Sequence, residues 1–314
     1  MNKLICGDSL KVIAEMPNDS ADLVFGSPPY EDARTYGIDF KLKGQEWVDW
    51  MVEIYKESIR ISKGLVAFVV QGRTRKFKWS CTPALLIADL HRAGFNVRNP
   101  PIYNRSGIPG SGGPDWLRSN YEWIVCVSKP GRLVWSDNTA CGTSPLYRVG
   151  GKMSHRNKDG ERANQGSKNR TSHKRYVQDG ENYTGKETIG NKTIEHKKEI
   201  PSWFREGMYT GKQNKYRIPK ISNPGNIIKC KVGGGHLGSK FAHENEAPFP
   251  LKLAEFFIKS FCPPNGITLD PFCGSSTTGH ACVLNNRNYI GIDCRQSQIK
   301  LSRKRIVATK KELK

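Results

Sequence analysis

The stretch Ile267-Thr268-Leu269-Asp270-Pro271-Phe272-Cys273-Gly274-Ser275-Ser276-Thr277-Thr278-Gly279 decides how this chain folds. Its apolar start reads as a short buried strand, and the small residues after it form a tight turn that opens a helix. Gly274 lets backbone approach a ligand, while Ser275, Ser276 and Thr277 offer hydroxyls and free amides at the helix start. The spacing is not the Gly-x-Gly-x-x-Gly of dinucleotide sites. Near the other end of the chain, the apolar run Ala21 to Phe25 leads in the same way into Ser27-Pro28-Pro29-Tyr30. Each proline locks its own φ and restricts the residue before it, so this loop is stiff, with an aromatic tip. Both segments therefore sit at the carboxyl end of a strand, where open α/β sheets bind their ligands.

Outward from these two points, strands and helices alternate. Residues 3–8 and 21–26 read as strands around an amphipathic helix from Ser9 to Met16. Gln45 to Ile61 is a second helix, with Trp47, Trp50, Met51, Ile54, Tyr55, Ser58 and Ile59 at roughly helical spacing. Gly64 to Val70 reads as a buried strand, Pro83 to Ala93 as a helix stopped by Gly94, and Trp123 to Ser128 as a strand closed by Lys129-Pro130-Gly131. Toward the end come a helix from Pro250 to Phe261, the motif strand and helix, a strand from Asn288 to Asp293 and a basic terminal helix. This order predicts an α/β fold with a parallel, doubly wound sheet.

One region breaks the pattern. From 151 to 220 only 14 of 70 residues are apolar, so little surface can be buried there. The expectation is an irregular segment, either mobile or ordered by a partner. The chain divides accordingly into residues 1–131 and 221–314, two halves of one sheet domain, around an insertion at 132–220.

Bulk properties narrow the function. No run of about 18 apolar residues occurs, so no membrane span is expected. The start, Met1 to Asp8, lacks the apolar core of a signal peptide. Nine cysteines occur without a Cys-x-x-Cys pair or a Cys/His ladder, which argues against a metal site or a disulfide framework and for a reducing cytoplasm. The formal net charge is +21. Residues 131–240 hold 22 Lys/Arg against 9 Asp/Glu, a net of +13, interleaved with Tyr176, Tyr183, Trp203, Phe204, Tyr209 and Tyr216. A concentrated positive charge with aromatic rings points to a nucleic acid that is gripped by phosphate and stacked by base.

Taken together, the Ser27-Pro28-Pro29-Tyr30 and Asp270-to-Gly279 segments resemble the catalytic and S-adenosylmethionine motifs of the DNA amino-methyltransferases. Their order, catalytic loop first, is similar to the permuted beta group of that family. The resemblance covers the sheet domain and does not reach the interior of the insertion. It implies a Rossmann-like methyltransferase sheet with an inserted basic target-recognition region, and S-adenosyl-L-methionine as cofactor. It also implies that Ser27 and the Pro28 carbonyl accept hydrogen bonds from the target amine, that Pro29 stiffens the loop, and that Tyr30 stacks on a base swung out of the duplex. Asp270, Phe272, Gly274, Ser275 and Thr277 match the cradle for the methionine end. In the segment Tyr289 to Asp293, with Cys294 beside it, Asp293 is placed as a ribose acceptor. Asp8 of Cys6-Gly7-Asp8 matches the position that meets the cofactor's adenine, or else simply caps the helix after it. The segment His243 to Leu251, with Pro248 and Pro250, resembles the loop and helix around the methionine end. Tyr121 and Trp123 resemble the lining of the target-base pocket; alternatively Trp123 is core. The family usually has a second glycine where this chain has Ser276.

The serine of Ser-Pro-Pro-Tyr and the stretch Ala247-Pro248-Phe249-Pro250 favour cytosine N4 as the target; adenine N6 is the alternative. From another class, a non-catalytic DNA-binding or modification-sensing protein would carry the same cofactor fold. Methylation at cytosine C5 lacks its Pro-Cys loop, and no deaminase signature occurs. Expected partners are double-stranded DNA, contacted by Lys174, Arg175, Lys197 and Lys198, and a companion restriction endonuclease. The protein is expected to be cytoplasmic, prokaryotic or phage-encoded, and a monomer or homodimer.

Overall fold

A computed structural model describes residues 2–32, 40–107, 115–143 and 221–313, together with the strand segments 154–156, 162–164, 173–179, 182–189 and 192–196. Along the chain the elements are β1 (Asn2–Cys6), α1 (Ser9–Ala14), β2 (Ala21–Gly26), α2 (Gln45–Ile61), β3 (Ser62–Val70) and α3 (Thr82–Arg92). Next come β4 (Asn96–Arg98), β5 (Ile102–Ser106), β6 (Tyr121–Ser128), β7 (Ile227–Lys231) and α4 (Leu251–Phe261). The chain closes with β8 (Ile267–Asp270), α5 (Thr277–Leu284), β9 (Asn288–Asp293) and α6 (Gln296–Glu312).

The two strands that carry the motifs are neighbours. β2 pairs in parallel with β8, Leu23 opposite Thr268 and Val24 opposite Leu269. The sheet runs β1-β9-β8-β2-β3-β6-β5-β7, with β4 also pairing β6. Every pair that includes β6 is antiparallel, and the others are parallel. The expected mostly parallel, Rossmann-like α/β sheet is what the chain forms.

Both faces are covered, as a parallel sheet requires. Leu23 and Phe25 of β2 face α4, α5 and α6, where Phe25 stacks on Phe257 at 4.6 Å between ring centroids. Val24 faces the other way, with Phe68, Val70, Trp47, Met51, Tyr55, Leu86 and Leu90 under α2 and α3. This layering explains why β2 and β3 read as unbroken apolar runs rather than as alternating ones.

Residues 1–141 and 224–314 form one compact unit, and residues 142–223 a second. Within the second, His173–Asp179, Asn182–Ile189 and Lys192–His196 form an antiparallel meander, and Ser154–Arg156 pairs with Arg162–Asn164. The expectation of an irregular segment is corrected here. Antiparallel hairpins satisfy their backbone by cross-strand hydrogen bonds alone, so polar strands leave no apolar alternation to read. The two ends of this unit meet in an antiparallel bridge between Thr143 and Ser222. Lys174 and Arg175 lie on its strand His173–Asp179; Lys197, Lys198 and the aromatic residues Trp203 to Tyr216 lie outside the described residues.

Candidate active site

The carboxyl ends of β1, β2, β3, β8 and β9 open onto a single cavity of about 830 Å³. Ser27 to Tyr30 form one wall, and Phe272, Gly274 and Thr277 another; Asp8, Pro248, Asp293 and Cys294 complete it. The motifs from the two ends of the chain thus share one space.

The catalytic loop is held from several sides. Ser27 Oγ has two acceptors for its one proton, the Val69 carbonyl at 3.1 Å and the Tyr30 hydroxyl at 3.3 Å, and giving it to either leaves the oxygen as an acceptor. The Tyr30 hydroxyl donates to Glu122 at 2.9 Å, and Glu122 also pairs with Arg105 at 3.1 Å. The Pro29 carbonyl is pinned by the Trp47 indole at 2.9 Å. Glu31, immediately after the motif, is 4% exposed. Its carboxylate accepts from the Gly44 amide, the Thr82 hydroxyl and, at longer range, the Arg73 amide. One acid therefore fixes the loop to the starts of α2 and α3.

The opposite wall is built on Gly274, whose φ is +47°. A Cβ there would meet the Asn245 amide group at 2.9 Å, so only glycine leaves the backbone open at that turn. Asp293 accepts from the Gly274 amide at 3.0 Å and from the Arg295 amide at 2.9 Å, and burial raises its carboxyl above the usual range. Asp8 caps α1 by accepting from the Lys11 amide while standing on the cavity wall, so both readings of that residue hold geometrically. Phe40, Trp50 and Phe272 form a run of rings, with centroids 5.1 Å and 5.6 Å apart along it.

Five residues expected at the site do not line the cavity. Pro250 is buried as the cap of α4. Asp270 is 1% exposed, and its carboxylate accepts from the Thr278 hydroxyl at 2.6 Å and the Phe272 amide at 3.0 Å. It shapes the turn from behind. Ser275 is buried too, held by Arg305 through its carbonyl and hydroxyl. Tyr121 and Trp123 are displaced by strand alternation: side chains on β6 point to opposite faces in turn. Trp123 joins the core under α2 and α3, as its alternative reading had it, and Glu122 between them faces the cavity.

The family model for N4/N6 DNA methylases matches residues 21–304. The chain belongs to that family. The orphan methyltransferase M.BamHII of Bacillus amyloliquefaciens is 28% identical over 91% of this chain and 88% of its own. The DNA adenine methyltransferase YhdJ of Escherichia coli is 22% identical over 96% and 82%. Among solved structures, the cytosine-N4-specific PvuII DNA methyltransferase superposes with a TM-score of 0.60 at 18% identity, covering 97% of this chain and 86% of that one. A Thermus thermophilus DNA modification methylase solved with S-adenosyl-L-methionine superposes with a TM-score of 0.54 at 20% identity, covering 98% and 94%.

The cavity fits S-adenosylmethionine, the molecule held in that Thermus thermophilus structure. The bare Gly274 turn, the ring run and the acids Asp8 and Asp293 match an amino-acid end, a planar base and a hydroxylated sugar. The sequence had not singled out Glu31 or Arg305; it read Trp47 only as part of a helix's apolar face and Glu122 only as the residue between Tyr121 and Trp123. For Arg305 a signal existed. Arg305 falls on the buried stripe of α6 with Leu301, Ser302, Ile306 and Thr309, where an arginine at helical spacing is out of place. Among the described residues, no helix is long and apolar enough to cross a membrane.

Proposed function

We propose that this DNA methyltransferase acts site-specifically on the exocyclic N4 of a cytosine turned out of duplex DNA. The observation that carries the reading is the Ser27 hydroxyl on the cavity wall, whose proton goes to the Val69 carbonyl or the Tyr30 hydroxyl and whose oxygen is thereby a neutral acceptor. The exocyclic amine is a weak nucleophile because its lone pair feeds the ring. Ser27 Oγ and the Pro28 carbonyl accept its two hydrogens and draw that lone pair out of conjugation, and Tyr30, held by Glu122, offers its ring to the base. When bound, S-adenosylmethionine supplies an electrophilic methyl group. Asp293 and Asp8 bind its sugar and base, and Gly274, Thr277 and Pro248 flank its amino-acid end. Such catalysis is positioning and electrostatics throughout. Residues 132–220 act as the target-recognition region.

Adenine N6 is the second reading, favoured by the relation to YhdJ, since adenine presents the same amine beside a ring nitrogen. Incubating the protein with labelled S-adenosylmethionine and plasmid DNA, then digesting to nucleosides, separates them. N4-methyldeoxycytidine is the expected product. N6-methyldeoxyadenosine would replace the target, and no labelled nucleoside would favour a modification-sensing protein.

A further inference from the structure

A small hairpin stands beside the cavity, outside the site described above. Thr74–Arg75 pairs antiparallel with Lys78–Trp79, with Lys76 and Phe77 at the tip. Both tip residues hold positive φ, 46° and 64°, as a type I′ turn requires. Such turns favour Asn-Gly, and an aromatic residue there is a steric outlier. Phe77 is nonetheless 80% exposed. A single exposed apolar side chain needs no explanation by itself; one held at a strained tip among cations does. Arg75, Lys76 and Lys78 stand on the same hairpin with Arg73 at its base, and Asp32 pairs with both arginines.

The base of the hairpin is rigid and tied to the catalytic loop. The Trp79 indole lies against Gly72 so closely that a Cβ there would meet its ring nitrogen at 2.5 Å. The Ser80 amide donates to the Arg73 carbonyl, and the Arg73 amide donates to the Ser80 hydroxyl. Glu31 accepts from the Arg73 amide and from Thr82, and it directly follows Tyr30. Gly72 and Arg73 line the cavity. From Arg73 to Arg75 the strand is extended and rises about 7 Å at roughly 3.3 Å per residue, and Phe77 stands at the turn beyond it.

We propose that this hairpin is a DNA wedge: its cations grip phosphates and Phe77 enters the base stack to occupy the place the target base leaves. The idea rests on the reading that the enzyme acts on a base turned out of duplex DNA. Apolar wedges unstack and hold open neighbouring base steps in other DNA-binding proteins. Here the wedge keeps a fixed distance from Ser27 to Tyr30 because Glu31 joins the two.

The site methylated by the wild-type protein is first mapped by sequencing plasmid DNA it has modified. Methylation rates are then measured on a duplex carrying that site and on the same duplex with an abasic position opposite the target, where the base leaves the stack more easily. Phe77→Ala should slow the matched duplex by roughly tenfold or more and recover to within about twofold of wild type on the abasic one. Phe77→Trp should keep the wild-type rate on both. Lys76→Ala with Lys78→Ala should flatten the salt dependence of duplex affinity while S-adenosylmethionine affinity holds. A Phe77→Ala rate equal to wild type on the matched duplex, or the same deficit on both duplexes, overturns the wedge. A wild-type protein that modifies no DNA refutes the underlying methyltransferase reading instead, which is a different outcome.

Discussion

At the scale of single residues, the site depends on where protons and charges are held. Ser27 matters as an acceptor, and the Val69 carbonyl or the Tyr30 hydroxyl makes it one. Ser27→Ala should therefore lower kcat by about tenfold to a hundredfold while S-adenosylmethionine binding, followed by calorimetry, stays at the wild-type value. Wild-type turnover in this variant would remove the serine from the mechanism. Asp270 shows the opposite device. Burial, with Asp293 nearby, raises its carboxyl to about 7, although Thr278 and the Phe272 amide pull the other way. The folded form thus holds a proton that the unfolded form has lost between about pH 4 and pH 7. Its contribution to stability is complete below that window and is lost as pH rises through it. Thermal melts of wild type and Asp270→Asn should show the Tm difference moving in the variant's favour from about pH 5 to about pH 8. A pH-independent difference would mean that Asp270 is ionised throughout.

At the scale of elements, distant pieces hold the cavity walls in register. α1 has only Ser9–Ala14 in helical conformation, too short to persist alone. Its start carries Asp8 and Ser9 on the cavity wall. Its end is closed by Arg60 from α2, which donates to the Ile13, Ala14 and Met16 carbonyls and to Asn18. Arg60→Ala should cost about 1–3 kcal/mol, read as a lower denaturation midpoint with unchanged slope. Because the far end of α1 loosens, the Michaelis constant for S-adenosylmethionine should rise as well. A stability loss without any change at the cofactor would confine Arg60 to a structural role. On β6 the three-residue segment Tyr121-Glu122-Trp123 resembled a pocket lining, but a motif that short does not say which of its residues faces inward. The flanking strand does: Ile124 and Cys126 share the face of Glu122, and Val125 and Val127 the face of Trp123.

At the scale of the whole molecule, one sheet domain is built from both ends of the chain, and residues 142–223 leave and return at one point. Thr143 and Ser222 are bridged, with the Ser222 amide donating to the Thr143 carbonyl at 2.8 Å. A few glycine and serine residues can therefore replace 144–221 without pulling on the sheet. The excised protein should fold, bind S-adenosylmethionine with wild-type affinity and lose site-specific methylation of plasmid DNA. Methylation at the original site by that variant would place recognition inside the sheet domain. Neutralising Lys174 and Arg175, or Lys197 and Lys198, should weaken DNA binding and flatten its salt dependence without altering sequence choice, since phosphate contacts position and base contacts specify.

What the sequence determined by itself was whatever is local. Ser27-Pro28-Pro29-Tyr30 and the turn at Gly274 are short, covalently continuous, and preceded by apolar runs, so their strand-end placement follows from pattern alone. The helix Gln45–Ile61 was legible because it repeats its period over enough residues, and the strand Asn288–Asp293 because it is a short, nearly unbroken apolar run. Only the tertiary structure decided which distant groups meet them. Glu31 clasping Thr82, Arg60 closing α1, and Arg305 behind Ser275 join residues 25 or more positions apart, and no local period encodes such pairs. The hairpin at 74–79 has strands of two residues, below the length at which alternation can be read. Its rigidity comes from Trp79 lying on Gly72 and from Glu31, contacts that exist only once β2, β3 and α3 have packed.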